Sequence, residues 1–233
     1  MAALCLIEEE SIIVNLVLFD FDKTIISRDT GAEYMKFMLA RNPLRLTACL
    51  FACPFVLPFL LFDKAKFVGY SVWLWLATIG MPIKKVIKLR NKFITQYLES
   101  EKTVVYQQAV ETLNAHIQKL DKVVIVSGAS EWMVKKVFAQ LALPKVEFAC
   151  SQEARLVGGM VSSFHCYAKN KVKSIHQRLN LVKYQSIIGY SDSSVDIPIL
   201  ALCTHRFIVN PKQSCLKKLI KSFDQSVTVV TWA

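Results

Sequence analysis

Three short apolar runs constrain the fold of this chain more than any other feature: "IIVNLVLF" (12–19), "KVVIVSG" (122–128) and "SIIGYSD" (186–192). Each is short and nearly continuous in apolar residues, as strands buried on both faces are. Each ends in small or polar residues, at Asp20, at Ser127 and Gly128, and at Asp192. Helical patterns follow the second run ("SEWMVKKVFAQL") and the third ("SVDIPILALC"). Strands alternating with helices predict an α/β fold with a parallel sheet, whose ligand sits at the carboxyl ends of the strands. The three polar clusters would then converge on one crevice.

Between Gly31 and about Val105 helical, strongly apolar segments replace this alternation, so a mainly helical cap is expected at 31–105, inserted into a core made of 1–30 and 106–233. Beyond it, "EARLVGGMVSSFHC" (153–166) reads as a hairpin turning at Gly158 and Gly159. "NKVKSIHQRLN" and "SCLKKLIKSF" read as helices, and "HRFIVN" and "VTVVTW" as strands.

Composition narrows the setting. A chain of 233 residues suits one domain with a sizeable insertion. Its 53% hydrophobic content exceeds that of a typical soluble domain, while 20% charged residues exclude a polytopic membrane protein. The formal charge of +11 favours an anionic partner. The basic residues lack the aromatic interleaving of a single-stranded nucleic-acid site, so no nucleic-acid partner is expected. Seven scattered cysteines without a CxxC pair read as reduced thiols, and "MAALCLIEEESII" lacks the basic start of a signal peptide.

The chemistry lies in the strand-end carboxylates. Asp20 and Asp22 are two apart, a spacing that aims alternate side chains at one pocket, and Thr24 follows at the same interval. Asp192 and Asp196 form a second acidic pair. Four such carboxylates would repel one another without a cation, and a hard ion such as Mg2+ takes oxygen ligands together with water and substrate phosphate. Ser127 and a lysine from "KNKVK" (Lys169, Lys171 or Lys173) would complete a phosphate cradle. One carboxylate would then act as nucleophile. Taken singly, an aspartate such as Asp29 or Asp196 reads as a turn or helix-cap residue.

"FDFDKT", "VIVSGAS", "NKVKSI" and "GYSDSSVDIPIL" occur in the order and at the strand ends seen in the haloacid dehalogenase-like phosphohydrolases, and the helical insertion resembles that of their phosphoserine-phosphatase-like branch. The resemblance spans residues 15–200 and implies a Rossmann-like core and a Mg2+-dependent phosphatase. It implies that Asp20 is the nucleophile and a metal ligand. Asp22 would be the general acid and base, its main-chain carbonyl on the metal. By the same resemblance Thr24 orients these groups and, with Ser127 and Lys171, binds the phosphoryl group, while Asp192 ligates the metal and Asp196 supports it. Lys171 is preferred because it opens its helix, with Lys169 and Lys173 as rivals. Lys23 replaces the glycine common at the variable position of the motif. The dipeptide at His165 and Cys166 carries no cysteine-phosphatase motif, and no role is expected of it.

The cap poses a separate question. Thr47–Phe62 and Phe67–Ile83 are uncharged runs of sixteen and seventeen residues separated by "DKAK". Sixteen helical residues span about 24 Å, short of a full crossing, and Pro54 and Pro58 would kink the helix. A buried helical core is one reading, and a full crossing would separate Asp20 from Ser127. The favoured reading is a hairpin dipping into one leaflet on the cytoplasmic side of a membrane. Arg41, Arg45 and the stripe Lys84, Lys88, Lys92 suit anionic headgroups, and Tyr70, Trp73 and Trp75 suit the interface. The apolar cap, the spacing from "DFDKT" to Asp29, the cysteine a few residues before "NKVK" and "GYSDSSVDIPILALCTHRFIVNP" together resemble the bacterial phosphatidylglycerophosphatase C family. That implies hydrolysis of phosphatidylglycerophosphate to phosphatidylglycerol and phosphate, with a small soluble phosphomonoester such as phosphoserine as the alternative substrate.

Overall fold

The computed structural model describes residues 14–61 and 65–233. The readings placed on "MAALCLIEEESII", on Cys5 and on Asp63 and Lys64 lie outside these residues.

The three apolar runs become β1 (Leu16–Phe19), β2 (Lys122–Ser130) and β5 (Ile187–Ser191). With β3 (Glu147–Leu156), β4 (Gly159–Phe164), β6 (His205–Val209) and β7 (Thr228–Val230) they form one sheet in the order β4-β3-β2-β1-β5-β6-β7. Pairing is parallel throughout except between β3 and β4. β1 lies between β2 and β5, with Phe19 in register with Ile125 and Tyr190. The residues just beyond this row, Asp20, Ser127 and Asp192, therefore sit at the carboxyl ends of three adjacent strands, where the strand order reverses.

Alternation along β1 sends Val17 and Phe19 to one face and Leu16 and Leu18 to the other, each into its own buried cluster. On the second face Val124, Val126, Ile175, Ile199, Leu200 and Leu219 surround Leu16 and Leu18. The helices behind this are α7 (Lys169–Arg178), α8 (Ile197–Leu200) and α9 (Gln213–Phe223). On the first face pack α5 (Gln107–Gln118) and α6 (Glu131–Gln140).

Between β1 and α5 lie four further helices: α1 (Thr30–Leu39), α2 (Pro43–Leu61), α3 (Lys66–Thr78) and α4 (Ile83–Leu98). They share the first cluster with the sheet, since Tyr34, Leu74, Phe93 and Tyr97 belong to the same buried set as Val17, Phe19 and Ile125. α2 and α3 pack on each other. α2 runs through Pro54 and Pro58 without a break, and no helix among the described residues is long and apolar enough to cross a membrane.

α3 also covers the free edge of β4. The Met160 N–H donates to Thr78 Oγ1 at 2.7 Å and the Ser162 N–H to Ser71 Oγ at 3.1 Å, while Trp75 Nε1 donates to the Leu156 carbonyl at 3.0 Å. Residues 71, 75 and 78 fall on one helix face, so Ser71 and Thr78 satisfy β4 edge amides that would otherwise be open to another strand, while Trp75 holds the end of β3. The hairpin turns one residue earlier than its glycines suggest. Val157 and Gly158 carry the positive φ angles, 43° and 76°, and Gly159 opens β4. Gly159 is needed for close approach, because a Cβ there would lie 2.5 Å from the Trp75 ring.

Candidate active site

Asp20 leaves β1 at its carboxyl end and accepts a hydrogen bond from the Phe21 N–H at 2.8 Å. The chain then turns tightly, with the amides of Thr24, Ile25 and Ile26 all donating to the Phe21 carbonyl. This turn presents Asp22, whose Oδ1 accepts from the Thr30 amide at 3.0 Å and the Thr30 hydroxyl at 2.6 Å. Thr30 Oγ1 lies 3.3 Å from the Tyr97 hydroxyl, so α4 supports the aspartate through α1. Asp29 caps α1 by accepting from the Ala32 amide.

Ser127 precedes a shift in the β2–β3 register, which turns its side chain and the following amides toward the cleft. Its Oγ accepts from the Ala129 N–H at 3.1 Å, and the Gly128 carbonyl accepts from the Ser151 hydroxyl at 2.7 Å. Of the three candidate lysines, Lys169 and Lys173 are exposed. Lys171 is buried, with Nζ 3.0 Å from Asp20 Oδ1 and 2.7 Å from Asp196 Oδ2. Ser191 Oγ donates to the same Asp196 oxygen at 2.7 Å.

Asp20, Asp22, Ser127, Lys171, Asp192 and Asp196 thus line one cleft of about 660 Å3. Thr24 does not. It is fully buried beneath the cleft because the turn folds its side chain inward, and its hydroxyl has no hydrogen-bond partner. A direct phosphate contact from Thr24 is therefore replaced by a place below the loop that carries Asp20 and Asp22.

Burial dominates the electrostatics. It pushes Asp20 well above the usual carboxylate range against the pull of Lys171, with Asp196 and Asp192 adding repulsion. Burial, with repulsion from Asp29, raises Asp22 to about 7 despite its bonds from Thr30. Asp192 is raised to about 6, again by burial first. Burial opposes the Lys171 charge, but Asp196 and Asp20 outweigh it and hold the ammonium protonated. Lys171 and the exposed Lys23 do not balance this group of carboxylates, which is the donor set a hard cation would stabilise. Among the described residues no three His, Cys, Asp or Glu side chains form a ready-made metal cluster. A cation would complete its shell with main-chain oxygen, water and substrate, which suits Mg2+.

The far end of the same cleft is apolar, lined by Met35, Leu39, Leu46, Cys49, Leu50 and Cys53 of α1 and α2 and their junction. Tyr70, His165 and Tyr167 also line the cleft, the His165 ring stacked on Tyr70 at 6.1 Å and on Tyr167 at 5.5 Å between centroids. His165, of which no role is expected from sequence, therefore forms part of the wall. Thr30 was open to sequence reasoning as the first helical residue after a capping aspartate. Tyr97, Ser151 and His165 carry no local signal, because tertiary packing alone brings them to the site, and Tyr70, read from sequence only as an aromatic of the apolar cap, also lines the cleft.

Residues 17–201 match the family model described as haloacid dehalogenase-like hydrolase. A probable phosphatase of Mycobacterium tuberculosis is 24% identical over 206 residues, covering 86% of this chain and 70% of that protein. Among solved structures, a protein of unknown function from Bordetella pertussis Tohama I superposes with a TM-score of 0.70 at 16% identity, covering 93% of this chain and 98% of that one. A substrate-bound phosphoserine phosphatase gives 0.55 at 17% identity, covering 92% of each chain. With the family model matching most of its length, and strand-end carboxylates where that fold binds its ligand, the chain belongs to the haloacid dehalogenase-like hydrolases.

Proposed function

We propose that the protein is a Mg2+-dependent phosphatase of a lipid phosphate monoester, with phosphatidylglycerophosphate as the substrate, acting at the surface of a membrane. The observation that carries this reading is the cleft itself, which runs from carboxylates and Lys171 at one end to an apolar lining from α1 and α2 at the other. A phosphorylated amphiphile matches both ends; a small polar ester would leave the apolar end to water.

In this reading the Asp20 carboxylate attacks phosphorus and forms an aspartyl-phosphate, while the leaving alcohol takes a proton from Asp22. A value of about 7 suits Asp22 to that step and to the next, in which it accepts the proton of the water that hydrolyses the intermediate. Lys171 and Ser127 hold the phosphoryl oxygens, Asp196 and Ser191 hold Lys171, and Thr24 orients the loop from below. Asp20, Asp192 and the Asp22 carbonyl would hold Mg2+, which when bound supplies neutralisation of the charge on the phosphoryl oxygens.

The outer face of α2 supports a membrane setting. Phe51 and Phe55 are 80% and 76% exposed, and Phe59, one turn further on the same face, is exposed as well. Lys84, Lys88 and Lys92 form an exposed basic stripe on α4, suited to anionic headgroups. Arg45 leaves that set, because its guanidinium donates to the Leu76 and Ile79 carbonyls at the end of α3. A surface facing the cytoplasmic leaflet is the corresponding location.

The test is hydrolysis of phosphatidylglycerophosphate in mixed micelles with and without Mg2+, beside phosphoserine. Mg2+-dependent release of phosphate, abolished by Asp20→Asn, is expected for the lipid. Turnover of phosphoserine with none of the lipid overturns the lipid assignment.

A further inference from the structure

Lys23 stands where a lysine is conformationally disfavoured. Its φ is 59°, in the left-handed region that glycine enters freely, and the surrounding turn holds it there through bonds to Phe21 and Ile26. Such strain persists where something other than local stability retains the residue. Packing does not explain it, because the side chain is exposed.

Its place in the cleft does explain it. Lys23 lines the cavity beside Asp20, Asp22 and Asp192, and its charge acts on both Asp22 and Asp192. The lining contains five aspartates (20, 22, 29, 192 and 196) and three lysines (23, 36 and 171). Lys171 is committed to Asp20 and Asp196, and Lys36 to Glu33. Among the described residues Lys23 is the cleft lysine without an ion-pair partner. An anionic leaving group entering this acidic cleft would be repelled unless one cation were kept for it.

We propose that Lys23 is a specificity-determining residue that pairs with a negative charge on the leaving group, so that the favoured substrates are phosphate monoesters whose alcohol carries a second anionic group. The phosphodiester of phosphatidylglycerophosphate is one such group. The inference deepens the phosphatase reading above and does not depend on the substrate being a lipid. A lysine suits the task, since a point charge on a flexible stem follows an anion whose position varies.

The experiment compares the parent enzyme with Lys23→Gly on two substrate pairs. One pair is soluble: 2-phosphoglycolate, with an anionic leaving group, and ethyl phosphate, with a neutral one. The other is phosphatidylglycerophosphate and phosphatidate in mixed micelles. Each is measured as kcat/KM, or as a competitive Ki against p-nitrophenyl phosphate where turnover is absent. Loss of Lys23 also alters Asp22 and Asp192, but that affects both members of a pair and cancels in the ratio.

The expected result is a roughly tenfold fall in the anionic-to-neutral ratio, carried mainly by KM, which Lys23→Arg restores in part. The melting temperature of Lys23→Gly should equal or exceed the parent's; a lower one would overturn the argument from strain. A ratio unchanged within twofold in the soluble pair overturns the inference. If the soluble ratio shifts while neither lipid binds nor reacts, the inference stands and the lipid assignment fails.

Discussion

Arg90 on α4 and Glu153 on β3 form an ion pair whose side chains are 12% and 3% exposed, joining the inserted helices to the sheet. Glu153 also accepts from Trp132 Nε1 at 2.8 Å and from the Ser130 hydroxyl, and the Arg90 guanidinium lies 4.5 Å above the Trp132 ring. Ser130 ends β2, three residues beyond Ser127, so this buried cluster ties the helices to the end of the strand that lines the cleft.

Glu153→Ala should therefore be strongly destabilising. It leaves Arg90 buried without its carboxylate, a change that costs about 3–5 kcal/mol. For a chain of this length that is a fall of about 10 °C in melting temperature, measured by thermal denaturation. Glu153→Gln, which keeps acceptors for Trp132 and Ser130, should lose less.

Lys171 offers a separation of chemistry from stability. Lys171→Met removes the cation between Asp20 and Asp196 and should lower kcat on a chromogenic phosphate by about a thousandfold. It should also destabilise the fold, since two carboxylates then face each other in a buried site. Adding Asp196→Asn should recover much of the stability and none of the activity. Recovery of activity in the double variant would remove Lys171 from the phosphoryl site.

The parts legible in the sequence are those governed by local pattern. β1, β2 and β5 could be read because strands buried on both faces are continuous in apolar residues. Lys171 reads in the sequence as the opening of its helix, but α7 opens at Lys169, and what distinguishes Lys171 is burial against Asp20 and Asp196. The apolar character of α2 was equally plain, but its division into an outer face, with Phe51 and Phe55, and a cleft face, with Cys49 and Cys53, was not. A helix apolar on all sides carries no periodicity from which to assign faces. The docking of Ser71, Trp75 and Thr78 on β4 was hidden for another reason. It joins residues about eighty apart in sequence, and in isolation Gly159 reads only as part of a turn.

Gly159→Ala tests that docking. The new Cβ would meet the Trp75 ring at 2.5 Å, so either the indole or the hairpin must shift. The expected cost is about 1–3 kcal/mol, seen as a lower melting temperature, and Trp75→Leu in the same chain should relieve part of it.

Stability of the metal-free protein should depend on pH in a definite direction. Asp22 and Asp192 have folded-state values raised to about 7 and about 6 from 3.8, so folding opposes their ionisation. Their contribution to stability is present below about pH 4 and is lost as pH rises through 6 and 7. Mg2+ bound among these carboxylates would offset that loss. The Mg2+-induced rise in melting temperature should therefore be small at pH 5 and several degrees at pH 8. An equal rise at both values would place the ion elsewhere.

The outer face of α2 makes the membrane proposal separable from catalysis. Phe51, Phe55 and Phe59, at i, i+4 and i+8, are exposed and do not line the cleft. Replacing all three by serine should leave folding unimpaired, because burial of these side chains contributes little to the isolated protein. It should abolish flotation with vesicles containing anionic phospholipid, where each buried aromatic or leucine side chain contributes about 1.5–3 kcal/mol. Activity on phosphatidylglycerophosphate in vesicles should fall at least tenfold while a soluble chromogenic phosphate is hydrolysed within twofold of the parent rate. High salt should weaken flotation of the parent as well, through the Lys84, Lys88 and Lys92 stripe. Flotation that survives the serine substitutions would assign membrane contact to another face of the molecule.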